Sequence, residues 1–150
     1  MDHYNKSKMG RKAMKKYLVI ALVLITILSS TACGSNKKIN LPKAEEIKEI
    51  EIMKNTSEER LKIENQEEIS GIIADIEENT NGTGRESVND QPTNINDYLI
   101  VKFHQKNAED SPSVAYLYKD KNSSYIEQPY SGIWKLREET IDRISNNLIK

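Results

Sequence analysis

The run YLVIALVLITIL, Tyr17 to Leu28, divides this chain before any other feature is considered. It is twelve residues long and broken only by Thr26 and the Tyr17 hydroxyl, whereas a helix that crosses a bilayer needs about 20 apolar residues. Lys6, Lys8, Arg11, Lys12, Lys15 and Lys16 precede it against the single acid Asp2. The small residues Ser30, Thr31 and Ala32 follow it. A basic block, a short apolar block and a small-residue site, in that order, make a secretory signal peptide. Residues 1–32 are therefore expected to be a leader that takes no part in the fold. Met14 stands directly before Lys15 and Lys16, so Met1 and Met14 are both workable starts.

The next residue is Cys33, the one cysteine of the sequence. The stretch from Met14 to Gly34, ending in ILSSTACG, resembles the lipobox signal of bacterial lipoproteins. That resemblance implies cleavage just before Cys33 and a diacylglyceryl group, carrying palmitate-type chains, on its sulfur. The domain would then be held by lipid at the extracytoplasmic face of the cell membrane. Two acyl chains anchor a protein stably where one does so only marginally, at about 0.8 kcal/mol per buried methylene. Two other readings compete with this one. An uncleaved signal anchor is disfavoured by the length of the apolar run, and a buried core cysteine by the basic, apolar, small order.

Without residues 1–32, 118 residues remain, the size of one domain. The leader holds six of the 22 basic residues and one of the 23 acids, leaving 16 against 22 and a formal charge of −6. Such a balance argues against nucleic acid, which demands clustered Lys and Arg. With one cysteine no internal disulfide is possible, so the fold rests on apolar burial. Residues 33–43 are expected to be the lipidated cysteine and a polar tether, and residues 44–150 a single small domain. A flexible stretch of eight residues spans about 16 Å root-mean-square. Lys37 and Lys38 would face anionic lipid or simply solvate the linker.

In IKEIEIM (47–53) Ile50 and Ile52 alternate with Glu49 and Glu51, and in RLKIE Leu61 and Ile63 share a face. Both patterns predict half-buried strands, joined through Asn55 to Glu58 as a hairpin. Asn65 followed by Glu68, with Ile69, Ile72, Ile73 and Ile76 at helical spacing, predicts a capped helix. Asn79, Thr80, Asn81 and Gly82 are expected to end it with C-cap chemistry. Thr80 to Asp97 has no apolar periodicity and reads as a long loop, of a kind often used for partner contact. YLIVKFH (98–104) predicts a strand covered on both faces. VAYLYK (114–119) and SYIEQ (124–128) predict a hairpin around Asp120 to Ser123, and YSGIWKL a further strand. Gly132 there implies a bulge or a close backbone approach, and Pro129 an edge or turn. Ile141, Ile144 and Leu148 predict a closing helix with Glu138 and Glu139 in its first turn. The expected fold class is α+β, a mostly antiparallel sheet with two helices packed on one face.

Five of the seven aromatic residues after the leader lie between Tyr116 and Trp134. Tyr116, Tyr118, Tyr125, Tyr130 and Trp134 form the candidate binding surface, since tyrosine offers a rigid amphipathic contact. The competing reading makes them cross-strand pairs and core. No catalytic set is expected. His104 is the one histidine after the leader, so there is no histidine pair for zinc and no Cys-His pair. Gly82 and Gly84 lack the lysine and context of a phosphate loop. Asp90, Asn94, Asn96 and Asp97 depart from calcium-loop spacing. No metal and no cofactor are expected.

The stretches INLPKAEEIKEIEI, SVNDQPTN and YIEQPYSGIWKL together resemble a family of short Gram-positive lipoproteins of unknown function, marked by an EQPYxGIxK-like motif. The resemblance implies the lipid anchor, an external location and a small α+β domain, and transfers no catalytic residue. The expected role is a non-enzymatic binding or sensory module at the cell envelope, its partner a protein or wall component. A two-lobed solute-capturing lipoprotein needs more chain than this. The alternative in another class is a small envelope hydrolase that works with carboxylates, which requires two facing carboxyls in a cleft.

Overall fold

The computed structural model describes residues 37–146; the leader, Cys33 and Leu148 lie outside them. Strands β1 (Ile47–Lys54) and β2 (Arg60–Ile63) form the expected hairpin, followed by helix α1 (Gln66–Glu78). Five strands follow: β3 (Thr80–Arg85), β4 (Leu99–Gln105), β5 (Ala108–Asp120), β6 (Ser123–Gln128) and β7 (Gly132–Leu136). Helix α2 (Glu138–Asn146) ends the described chain. All strand pairs are antiparallel, in the order β2-β1-β4-β5-β6-β7-β3. Seven antiparallel strands and two helices are broadly α+β, mostly sheet.

Register makes the sheet two-sided, because successive side chains point to opposite faces. On one face a single row crosses Leu99, Leu117, Ile126 and Trp134, and a second crosses Leu61, Ile52, Val101 and Ala115. Ile69, Ile73 and Ile76 of α1 and Ile141 and Ile144 of α2 join these residues in one buried cluster. At about 1.5–3 kcal/mol per fully buried large aliphatic side chain, that cluster is the main source of stability in a domain without a disulfide. Gly132 is required by close approach, since a Cβ there would lie 2.9 Å from the Trp134 ring.

Helix α1 begins where its cap is written: the Asn65 side chain accepts from the backbone N–H groups of Glu67 (2.9 Å) and Glu68 (3.0 Å). Its end departs from the expected C-cap. Asn79 has φ −108°, outside the left-handed region, and its amide donates back to the Asp75 carbonyl at 2.8 Å. Thr80 then enters β3 directly, so the stretch expected to be a loop from Thr80 opens with an edge strand. A polar edge strand carries no apolar alternation, which blunts pairing with other chains and hides it from a periodicity search. Its pairing with β7 is irregular after Gly82, where Gly84 takes φ +72° and the Thr83 hydroxyl donates to the Ile133 carbonyl.

A second departure lies at the start. Residues 37–41, expected to belong to a polar tether, carry two core side chains, Ile39 and Leu41, each buried. Their alternation with Lys38 and Asn40 is that of a strand, one residue in and one out. The Trp134 indole N–H donates to the Lys37 carbonyl, and the Gln128 amide donates to the Asn40 carbonyl at 2.9 Å. These bonds satisfy two buried polar groups that would otherwise be costly to bury.

Ile39→Ala should therefore lower unfolding stability by about 2–4 kcal/mol, read as a drop in the urea midpoint. An unchanged midpoint is the result expected of a free tether.

Candidate functional site

The opposite face of the sheet is polar, and one row runs across all its strands: Arg60, Met53, Ile100, Tyr116, Glu127, Ile133 and Arg85. Tyr118 and Tyr125 pair in the adjacent row with ring centroids 5.7 Å apart. Tyr98 packs edge-on against Tyr116 at 5.5 Å. The Arg85 guanidinium lies 4.8 Å from the centre of the Tyr125 ring, a favourable cation–π placement.

Beneath these rings is a buried carboxylate. Glu127 accepts from the Tyr118 hydroxyl at 3.0 Å and from the Ser87 hydroxyl at 2.7 Å. Burial, and then the Glu127 charge and hydrogen bond, push the Tyr118 phenol well above its usual range. It stays a neutral donor at any physiological pH. Ser87 belongs to the segment between β3 and β4, which is fastened to the sheet at several points. Asp90 accepts from the Tyr130 hydroxyl at 2.8 Å, Tyr98 meets Gln91 at 3.1 Å, and the Asn55 side chain donates to the Asn96 carbonyl at 3.0 Å. Asp97 pairs with Lys54 at 3.1 Å. Asp90 and Asp97 are thus engaged with separate partners, and among the described residues no group of three His, Cys, Asp or Glu side chains is placed to hold a metal.

The far end of the same face holds an ion-pair network. Glu51, buried, lies 3.2 Å from Arg60, 3.5 Å from Lys102 and 3.4 Å from His104. Glu49 pairs with Lys62 at 3.1 Å. Burial pushes the Glu51 carboxyl up, but the Lys102 ammonium, the His104 hydrogen bond and the Arg60 guanidinium outweigh it and hold the carboxyl below its usual value. Glu51 is therefore no proton donor near neutral pH. Glu51 and Glu127 stand three strands apart, about 14 Å at the usual strand spacing, too far to act as a carboxylate pair.

The five aromatic residues of the candidate surface do not stay together. Tyr116, Tyr118 and Tyr125 share the polar face, with Tyr118 buried and the other two half-buried. Trp134 lies on the other face, 2% exposed, in the core. One-residue parity decides this: Trp134 pairs with Ile126, while Tyr125 pairs with Lys135. Tyr130 sits in the β6–β7 turn and is 68% exposed. Two partners were not read from the sequence, Glu127 and Ser87, which are 40 residues apart and carry no shared pattern. Glu127 alone had a signal, since it has the parity of Tyr125.

Residues 35–135 match the DUF5301 family model, whose description reads "Domain of unknown function (DUF5300)". No curated protein matches the chain. A solved structure described as "NMR structure of the protein from Ruminococcus gnavus" is similar with a TM-score of 0.56 and 24% identity, covering 69% of this chain and 98% of that one. At that identity the likeness speaks for the fold alone.

Because the folded state holds Glu51 ionised below its ordinary value of 4.5, its stabilisation is complete above that value and fades as pH falls through the lower, folded one. Glu51→Gln should cost about 1 kcal/mol at neutral pH, its partners being partly solvated, and should flatten the acid limb of a stability-against-pH curve. An acid limb identical to that of the wild type would show that the network carries no such linkage. Trp134→Ala should cost about 3–5 kcal/mol and Tyr125→Ala about 1 kcal/mol, both read from denaturant midpoints.

Proposed function

We propose that this chain, which belongs to the DUF5301 family, is a membrane-anchored extracytoplasmic lipoprotein whose single domain acts as a non-enzymatic binding or sensory module at the cell envelope. Residues 1–32 are its signal peptide, and Cys33 takes the diacylglyceryl group. The observation that carries the anchor is the order of the leader, with the one cysteine four residues ahead of the docked Lys37. A lipid at Cys33 would hold the domain without a membrane helix, and no helix among the described residues is long and apolar enough to cross a bilayer.

Both helices, in this reading, cover the apolar face of the sheet, which accords with their sharing one core cluster with it. The polar face is left for a partner, and its tyrosine end is the recognition surface. Tyr116 and Tyr125 present ring edges and hydroxyls at low entropic cost, and the Glu127, Tyr118 and Ser87 network beneath them fixes their positions. Preorganisation of this kind is what a binding surface gains from a buried polar network. The partner is an envelope protein or a wall component.

A carboxylate hydrolase is the second reading. Glu49 and Glu51, two residues apart on β1, stand about 7 Å from each other along the strand, within the range of an inverting pair. Their cations argue against it: Lys62 on Glu49, and Lys102 and Arg60 on Glu51, leave Glu51 no proton to give.

Mass spectrometry of the protein purified from its own cells is expected to find Cys33 as the first residue, bearing a diacylglyceryl group; Cys33→Ala should remain unprocessed. A free thiol at Cys33 still joined to Ala32 excludes the anchor. A photo-crosslinking residue in place of Tyr125 should trap one discrete envelope component in living cells, and trap less of it when Glu127→Gln loosens the network. Background adducts alone would return this face to solvent.

A further inference from the structure

We infer that the β6–β7 turn is the lipid-facing end of the domain, with Val88 and Tyr130 entering the headgroup layer and Lys37 and Lys38 meeting anionic headgroups; the inference rests on the reading that Cys33 is acylated. Among the described residues, the large hydrophobic side chains left exposed are Val88 at 69% and Tyr130 at 68%. They belong to different segments, yet the fold brings them to one place. The Tyr130 hydroxyl donates to Asp90, two residues beyond Val88, at 2.8 Å, and Ser87, just before Val88, bonds Glu127 of the adjoining strand.

The chain toward Cys33 leaves from the same place. Lys37 donates from Nζ to the carbonyl of Ser131, the neighbour of Tyr130, at 3.2 Å, and its own carbonyl accepts from Trp134. Four Cα–Cα steps join Cys33 to Lys37, at most about 15 Å of chain. So short a leash cannot lift this end clear of the headgroups, and any apolar side chain there meets lipid before it meets protein. Charge points the same way. The mature chain carries −6 overall, so an anionic leaflet repels most of its surface and draws the lysine-bearing end. Three acids lie near this end: Asp90, engaged by the Tyr130 hydroxyl, Glu86, two residues before Val88, and Glu77, which shares a surface hollow with Lys37 and Lys38.

Tyr130 itself is unexpected on grounds of folding. Its φ of +54° lies in the left-handed region, where Gly or Asn belongs and a bulky residue is strained. A turn selected for stability alone would not keep a large exposed ring in that conformation. A tyrosine with its body in the acyl boundary and its hydroxyl among headgroups is the amphipathic side chain found at membrane interfaces.

The test uses the mature acylated protein in vesicles containing phosphatidylglycerol. Acylation consumes the Cys33 thiol, so single nitroxide labels can be placed by Val88→Cys, Tyr130→Cys and, as a control at the other end of the strands, Asn122→Cys in the β5–β6 turn. The readout is collision with oxygen, which partitions into lipid, against a nickel chelate, which does not. Labels at 88 and 130 should shift several-fold toward oxygen on vesicles, while the label at 122 stays aqueous. In a Tyr130→Gly background, which suits the left-handed turn but gives up the bond to Asp90, the label at 88 should move back toward the chelate on vesicles while its collisions in solution stay as they were. Labels at 88 and 130 as aqueous as the one at 122, on protein whose Cys33 is acylated by mass, overturn the lipid-facing end and leave the anchor standing. Loss of collisions with both reagents means that protein covers the patch, and also overturns it. An unmodified Cys33 overturns both readings.

Discussion

The docking of residues 37–41 onto the sheet closes the core and fixes where the described chain begins. Side chains from α1 and α2, helices of 13 and nine residues, share one buried cluster with the apolar residues of the seven-stranded sheet. Ile39 and Leu41 complete the seal. Their backbone is held by side chains from the two strands beneath, through Trp134 to the Lys37 carbonyl and Gln128 to the Asn40 carbonyl. What binds the segment is also what fixes its exit. The described chain begins beside Ser131, held there by Lys37, and the proposed anchor a few residues upstream would act on that point.

The two faces of the sheet divide the work. One is a continuous aliphatic surface and supplies the stability, as it must in a chain without disulfides. The other spends its polar groups on order. Solvated ion pairs such as Lys62 with Glu49 contribute little energy, but the network around Glu51 pins β1, β2 and β4 in register. The bonds around Glu127 likewise pin the long β3–β4 connection over the tyrosines.

Much of this was legible in the residues. The β1–β2 hairpin, the Asn65 cap, the isoleucine stripe of α1, the strands β4, β6 and β7 and the second half of β5 follow from period-2 and period-3.6 patterns, because each buries one face; the first half of β5, AEDSPS, has no such alternation. β3 was not legible, since TNGTGR has no side chain to bury and is a strand only because β7 needs a neighbour. The docked segment was hidden for a different reason: two isolated apolar residues after a polar run are too short a pattern to separate from a linker. Of the candidate site, sequence gathered the aromatics but not their sides. Tyr125 and Trp134 are joined by adjacent strands and are nonetheless on opposite faces, a fact of register that composition cannot hold. Ser87 with Glu127 is a tertiary contact of two unremarkable residues and left no mark.

The proposed attachment through Cys33, together with the docking at Lys37, would leave almost no room between lipid and protein. Neutron reflectometry of the acylated protein on a supported anionic bilayer measures that room directly. A protein layer abutting the headgroups, with no water layer between, is the predicted profile; a hydrated gap several nanometres thick beneath the protein would contradict it.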